Sequence, residues 1–119
     1  MLNSCIGALV RVNGKEFQKY LDRDGGCVHC GDTSTVVPHH RLNRGMGGSK
    51  SRHVPSNIVV VCSWLNLAME ADDQVAGDAR RYGWKLRSGQ QPDMTPLWDA
   101  QVSEWVLLGD NYERKVIGA

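Results

Sequence analysis

Two adjacent histidines, His39 and His40, are the side chains of this sequence best suited to proton transfer or metal binding. Imidazole has a reference pKa near ~6.5, so at neutral pH it can accept a proton or coordinate a divalent ion. Because neighbours on an extended segment point to opposite sides, one ring can hold an ion while the other faces a water molecule. Asn66 and Glu70 follow in the sequence, and their side chains offer the oxygen atoms that a hard cation prefers.

Together these residue types could supply what the hydrolysis of a phosphodiester needs. That reaction needs a general base to activate water, and a divalent cation to offset the charge that builds on the leaving oxygen. Each feature also has an ordinary structural explanation. Asn57, which directly precedes an apolar run, is typical of a turn; Asn66 is typical of a helix cap, and Glu70 of a solvated helix carboxylate.

A second group of candidate metal ligands consists of cysteines. Cys27 and Cys30 form a CxxC pair, and Cys62 begins a second pair that is broken because Leu65 stands at its partner position. Structural zinc requires four ligands in a tetrahedron, so a zinc site here needs an unexpected fourth donor. The candidates for that donor are Cys5, His29 and His53, and we expect His29 to strain the knuckle. The alternative, which the broken pair favours, is that these thiols serve as small packing groups without zinc.

The pattern of apolar, β-branched and turn residues predicts an α+β domain. Gly25-Gly26 ends a first helix, and Pro38 ends a first strand or places it at a sheet edge. The chain should then form a loop over 41–56, a buried strand and a helix with Ser63 as its N-cap. The predicted elements are a helix over 15–24, a strand over 35–37, a strand over 58–62, a helix over 63 to about 82, and a β-hairpin of 105–108 with 114–117.

Four stretches of the chain resemble the HNH endonucleases that are widespread in bacteriophages. They are CVHCG (27–31), VPHHRL (37–42), RGMGGS (44–49) and PSNIVVVC (55–62). The similarity extends from about residue 17 to about residue 105, and the tails GWKL (83–86) and WVLL (105–108) also resemble phage members. With Asn at the last motif position, the chain is similar to the His-Asn-Asn variant, which the RNA-guided CRISPR nucleases also carry.

The resemblance implies a fold, a reaction and a role for each motif residue. The fold is a ββα-metal finger, also called a His-Me finger, within a single domain over 1–119; its core spans about 27–82 and a β appendage spans about 84–119. His39 and Asn66 match the metal-ligand positions, His40 the general base, and Asn57 the residue that ties the loop together and orients the base. Glu70, one helical turn after Asn66, is a further candidate ligand. Products would carry a 5′-phosphate and a 3′-hydroxyl.

The amide at Asn66 bears on which metal the site would use. An amide oxygen is a weaker donor than imidazole toward soft metals, so we expect Mg²⁺ or Mn²⁺ rather than Zn²⁺ or Ni²⁺.

The charge distribution bears on the nucleic-acid partner. The net charge is +1, which by itself does not predict DNA binding. A loop without acidic residues nevertheless concentrates positive charge that can seat phosphates, at Arg41, Arg44, Lys50 and Arg52. An ordinary solvated loop is the alternative. Because little chain remains for reading bases, we expect nicking of DNA with little sequence specificity.

Compartment and partners follow from what the sequence lacks. No run approaches the ~20 apolar residues that span a bilayer, and residues 1–12 lack the features of a signal peptide. We therefore expect a cytoplasmic protein, in the host cytoplasm if phage-encoded, and the sequence does not indicate its oligomeric state. The alternative function is a catalytically weak or inactive HNH-fold protein that binds nucleic acid or a phage or host protein. Asn66, the broken cysteine pair and the near-neutral charge favour that alternative.

Overall fold

The computed structural model describes residues 14–43 and 52–117, where the chain folds as a small α+β domain. The described elements are three α-helices and five strands, in the order α1 (Gly14–Asp24), β1 (Val36–His40), β2 (Ile58–Cys62), α2 (Ser63–Ala71), α3 (Asp73–Arg81), β3 (Leu97–Asp99), β4 (Glu104–Leu108) and β5 (Arg114–Val116). Within those two ranges, no helix is long and apolar enough to cross a membrane.

Strands β1 and β2 form a two-stranded antiparallel sheet that carries both histidines. All five residues of β2 are buried, as expected for a run with four β-branched side chains. In the pairing register His39 lies opposite Val59 and His40 opposite Ile58. The predicted strand over 35–37 was too short, because Pro38 stays within β1, in a sheet where each strand has an unpaired edge. The two histidines are therefore strand residues and not loop residues.

The single helix predicted from residue 63 to about 82 is wrong, because the chain forms two helices that meet at Asp72. Asp72 is extended, with φ −127° and ψ 117°, and its carboxylate accepts hydrogen bonds from the N–H groups of Gln74 and Val75. Aspartate competes with the helix in this way and so caps α3. The N-cap of α2 is Cys62, whose sulfur accepts from the N–H of Leu65, and not the predicted Ser63.

The C-terminal strands form a second antiparallel sheet in the order β3-β4-β5. The predicted hairpin is confirmed as β4 and β5, while β3, which pairs Leu97 with Val106, was not predicted. Leu97, Val106 and Leu108 are buried in the same apolar cluster as all of β2. The predicted β appendage therefore completes the core of the domain.

Helix α1, which the sequence places within one residue of its observed bounds, is fixed to the β1–β2 sheet by a buried ion pair. Arg23 and Asp24 bond to each other at 2.7 Å, and both side chains are almost inaccessible to solvent. Arg23 also donates to the carbonyls of Pro55 and Ile58, and the Asp24 carboxylate accepts the N–H of Val60 at 3.0 Å. These bonds hold the polar face of α1 beside the ends of β1 and β2.

Candidate active site and metal centre

His39 is held in one orientation by a backbone carbonyl. Its Nε2 lies 2.8 Å from the carbonyl oxygen of Trp84, and the ring is 7% exposed. A carbonyl can only accept, so Nε2 carries the hydrogen and Nδ1 carries the lone pair. Burial lowers the pKa of His39 to about 4 against the opposing effect of this hydrogen bond, so the ring is neutral at pH 7. A neutral imidazole whose other nitrogen bonds a carbonyl is the usual form of a metal-ligating histidine.

Three charged side chains lie close enough to His39 to affect its pKa. Lys85 and Arg41 lower that pKa and Glu70 raises it. Glu70 is exposed on α2 and its carboxylate lies 3.3 Å from the Lys85 ammonium. Asn66 lies one turn before Glu70 on α2 and is half-buried. The charge of Glu70 thus acts on His39, Asn66 lies on the same helix, and the Lys85 ammonium pairs with the Glu70 carboxylate.

His40 has a different set of partners. Its Nε2 lies 3.2 Å from Nδ1 of His53, and Nε2 of His53 lies 3.1 Å from the carboxylate of Glu16 on α1. Tyr20, one turn after Glu16, points its hydroxyl at the same carboxylate oxygen at 3.4 Å. The adjacent imidazoles of β1 therefore serve two separate environments, a carbonyl at one and a histidine–carboxylate pair at the other.

Asn57 fastens the two ends of the loop that joins β1 to β2. It is fully buried, and its amide nitrogen donates to the carbonyls of Leu42 at 3.1 Å and Arg52 at 2.7 Å. Its amide oxygen accepts the N–H of Leu42 at 2.8 Å. Because Arg52 precedes His53, Asn57 also fixes the backbone beside the partner of His40.

Arg41 has a different role from the DNA contact predicted for it. The side chain is 1% exposed, so no phosphate can reach it. Its guanidinium donates to four backbone carbonyls at 2.8 to 3.0 Å, those of Gly83, Ser56, Pro92 and Thr95. Burial lowers its pKa to about 9, with the charge of Arg23 acting in the same direction, so it is still a cation at pH 7. Arg41 joins the end of β1 to the C-terminal segments and is a structural residue.

The other predicted DNA-binding residues differ in what the structure describes. Arg52 is half-buried and donates from one guanidinium nitrogen to the carbonyl of Asn43. Arg44 and Lys50 lie outside the described residues, as does Cys5 among the proposed zinc donors.

A cysteine–histidine group lies in the knuckle after α1. One ligand atom from each of Cys27, His29 and Cys30 lies within 4.8 Å of the other two, so this group could hold a metal ion. His29, which we expected to strain the knuckle, has a ring nitrogen in the same group as both thiols. Burial raises the pKa of the Cys27 thiol to about 11, while backbone N–H groups of Cys30, His29 and Cys62 act against that rise. Cys62 lies close to Cys27 but outside the three-residue group, and its sulfur accepts the N–H of Leu65 at the start of α2.

Gly26 allows this knuckle to form. Its φ is +139°, and an added Cβ would lie 2.8 Å from the carbonyl oxygen of Gly31. Val28 then joins the knuckle to both sheets, because its N–H donates to Val60 in β2 and its carbonyl accepts from Ala100. The ring of His29 meets the edge of the Trp84 ring at a centroid distance of 5.4 Å. Trp84 therefore contacts both candidate metal groups, through its ring at His29 and through its carbonyl at His39.

Comparisons with known proteins bear on which family the chain belongs to. No protein-family model, curated protein or solved structure matches the chain.

Two residues of the site were not identified from the sequence. The sequence indicated His53 only as a possible zinc donor, and it did not indicate Glu16. The pair becomes visible only when α1 lies against the end of β1. The one signal that the sequence offers is that Glu16 lies one helical turn before Tyr20, on the same face of α1.

Proposed function

We propose that this protein is a metal-dependent endonuclease that hydrolyses DNA phosphodiester bonds, with His40 as the general base. The observation that carries the proposal is the division of the two adjacent imidazoles. His39 is neutral, nearly buried and oriented by the Trp84 carbonyl, whereas His40 is half-buried and joined to His53 and Glu16. These are the surroundings expected of one metal ligand and one general base.

The architecture around the histidines supports a ββα-metal finger. The chain order is β1, loop, β2 and α2, and the helix begins directly after the last residue of β2. Asn57 closes the loop between the strands through bonds to Leu42 and Arg52, which suits the role that the HNH resemblance gives to the middle motif residue. The arrangement therefore agrees with the resemblance at the level of element order and loop closure.

The residues present fit a divalent ion beside His39. The fixed Nε2–H of His39 leaves Nδ1 as the donor atom, and Asn66 and Glu70 offer oxygen atoms from the adjacent helix. One nitrogen and two oxygen donors suit Mg²⁺ or Mn²⁺. When bound, such an ion would stabilise the charge that develops on the leaving oxygen. Lys85 pairs with one oxygen of Glu70, so its ammonium would compete with the ion for that carboxylate.

The chain's own residues supply the remaining steps. His40 takes a proton from a water molecule, whose oxygen bonds to phosphorus as the bond from phosphorus to the 3′ oxygen breaks. The departing oxygen takes a proton from solvent, which yields the 5′-phosphate and 3′-hydroxyl. Arg52, together with Arg44 and Lys50, is proposed to contact the phosphates of the bound strand. Arg41 is excluded from this set because it is buried.

The test is nicking of supercoiled plasmid with Mg²⁺ or Mn²⁺, comparing the native chain with His40→Ala. Loss of a general base should lower the rate by about 10²–10⁴-fold. Circular dichroism of the variant must match the native spectrum, so that lost activity is not lost folding. Equal nicking by both proteins would contradict the assignment of His40.

The second candidate is a protein that keeps this fold for binding without cutting. The observation that favours it is the pairing of Glu70 with Lys85, which puts a positive charge beside one of the proposed metal ligands. Exposed apolar side chains on the same helix, Trp64 at 61% and Leu67 at 69%, are available to a partner. Absence of nicking by the native chain, with DNA binding retained, would favour this candidate over the nuclease.

A further inference from the structure

We propose that Glu16 and His53 are positioning residues that fix the tautomer of His40, so that its proton-accepting nitrogen is Nδ1. The inference rests on the proposed function for its catalytic meaning, and on hydrogen-bond geometry for the tautomer itself. Three side chains from α1, the loop and β1 form a continuous chain of bonds, with distances of 3.1 Å from Glu16 to His53 and 3.2 Å from His53 to His40.

The direction of each hydrogen bond follows from the carboxylate at one end. An ionised carboxylate only accepts, so Nε2 of His53 must donate to Glu16. When the His53 ring is neutral it has one N–H, and its Nδ1 is therefore an acceptor. Nε2 of His40 must then carry the hydrogen that it donates to His53. The lone pair of His40 is left on Nδ1, the atom that would receive the proton of the attacking water.

The carboxylate of Glu16, which accepts from His53, has a second donor in Tyr20. The Tyr20 hydroxyl lies 3.4 Å from the same oxygen of Glu16. Burial raises the pKa of Tyr20 far above its ordinary value, helped by Tyr112 and by the charge of Glu16, so the phenol remains a donor. The side chains of Glu16 and His53 are only 23% and 25% exposed, which limits competition from water.

Rigid anchors hold both ends of the chain of bonds. The buried Arg23–Asp24 pair fixes α1 to β2 two turns after Glu16. On the other side, Asn57 holds the carbonyl of Arg52 and thereby the backbone that precedes His53. Neither Glu16 nor His53 therefore depends on its own side-chain bonds alone for its position.

The chemical consequence concerns where positive charge goes during hydrolysis. When His40 receives a proton at Nδ1, the ring becomes an imidazolium whose Nε2–H still donates to His53. The negative charge of Glu16 stabilises that imidazolium through the His53 ring. His40 later returns the proton to solvent, so no net proton remains on the chain. Glu16 and His53 act on the base and not on the DNA, which makes them positioning residues.

The experiment reads tautomers directly, by long-range ¹H–¹⁵N correlation NMR on the full-length ¹⁵N-labelled protein at pH 8 with chelator present. We expect His40 and His53 both to show a protonated Nε2 and an unprotonated Nδ1. In Glu16→Gln the amide can donate as well as accept, so the His40 signals should move toward a mixture of tautomers. Asp22→Asn, which removes an exposed carboxylate of the same helix, is the matched control and should leave the signals unchanged.

The activity arm uses the same variants on supercoiled plasmid. Glu16→Gln should lower kcat about 10–100-fold with little change in KM, the size expected of a residue that orients a catalytic group. A protonated Nδ1 on native His40, or native-like signals in Glu16→Gln, would overturn the proposal whether or not DNA is cut. The expected tautomers in a native chain that does not nick would support the hydrogen-bond chain and contradict the proposed nuclease.

Discussion

Replacing Arg41 with methionine separates a structural role from contact with DNA. The change keeps an unbranched apolar stem but removes every hydrogen-bond donor. Two of the four acceptors, the carbonyls of Gly83 and Ser56, are then buried without a partner. Each such carbonyl costs about 1–3 kcal/mol.

The other contributions to the change in the free energy of unfolding partly offset each other. The bonds to the carbonyls of Pro92 and Thr95 are partly exposed, so water replaces the lost donor there at a smaller cost. The variant no longer has to desolvate a positive charge on folding, which stabilises it. This gain is modest because guanidinium is weakly hydrated. We expect a net loss of about 2–5 kcal/mol, which is a large part of the ~5–15 kcal/mol that stabilises a typical domain.

The assay is equilibrium unfolding in urea, followed by tryptophan fluorescence. Trp84 is 4% exposed, so its environment changes when the core opens. Arg52→Met is the matched control, since that guanidinium makes one bond to Asn43 and its loss should cost under about 1 kcal/mol. A DNA contact predicts the reverse for Arg41→Met: native stability, weaker DNA binding and a salt slope smaller by about 1. That outcome would refute the assignment of Arg41 as structural.

Three further predictions concern acid stability, backbone geometry and metal content. In the metal-free protein His39 has a folded pKa of about 4, so its contribution to the free energy of unfolding should be complete above pH ~6.5. That free energy should fall by about 3 kcal/mol as the pH falls to 4, as measured by urea unfolding across that range. Gly83→Ala should destabilise the fold by more than about 1 kcal/mol in the same assay, because φ is +76° and a Cβ would clash with the Pro96 carbonyl. Protein purified without chelator should contain bound metal by elemental analysis, and Cys27→Ser with Cys30→Ser should lose it.

Each of these predictions has an outcome that would count against it. Unchanged acid sensitivity in His39→Gln would show that another group sets the pH dependence. Native stability of Gly83→Ala would mean that the turn before Trp84 adapts without strain. Metal content below about a tenth of an equivalent, in protein that is folded, would assign the cysteine–histidine group to packing.

The central part of the fold could be predicted from local patterns. The β-branched run at 58–62 and the Gly25-Gly26 stop define β2 and the end of α1 because both depend on nearby residues alone. The alternation of side chains along a strand likewise anticipated that His39 and His40 would meet different surroundings. Predictions of this kind hold because the physical cause lies within a few residues.

The remainder depends on tertiary contacts that local patterns do not contain. Arg41 looked like a phosphate contact because its neighbours are basic and polar, yet its four partners come from segments up to 54 residues away. His53 meets Glu16 across 37 positions, and only the docking of α1 makes them a pair. The break at Asp72 was overlooked because capping by aspartate competed with an amphipathic pattern that continues on both sides.

The four carbonyls around Arg41 also set an order of events during synthesis. They belong to positions 56, 83, 92 and 95, so the segment that bears both histidines leaves the ribosome long before its guanidinium can be enclosed. A nascent chain can pair β1 with β2 early, since that pairing is local, but the arginine stays hydrated until the last of these segments emerges. His39 likewise reaches its final orientation only after Trp84, whose carbonyl bonds its ring, has been made.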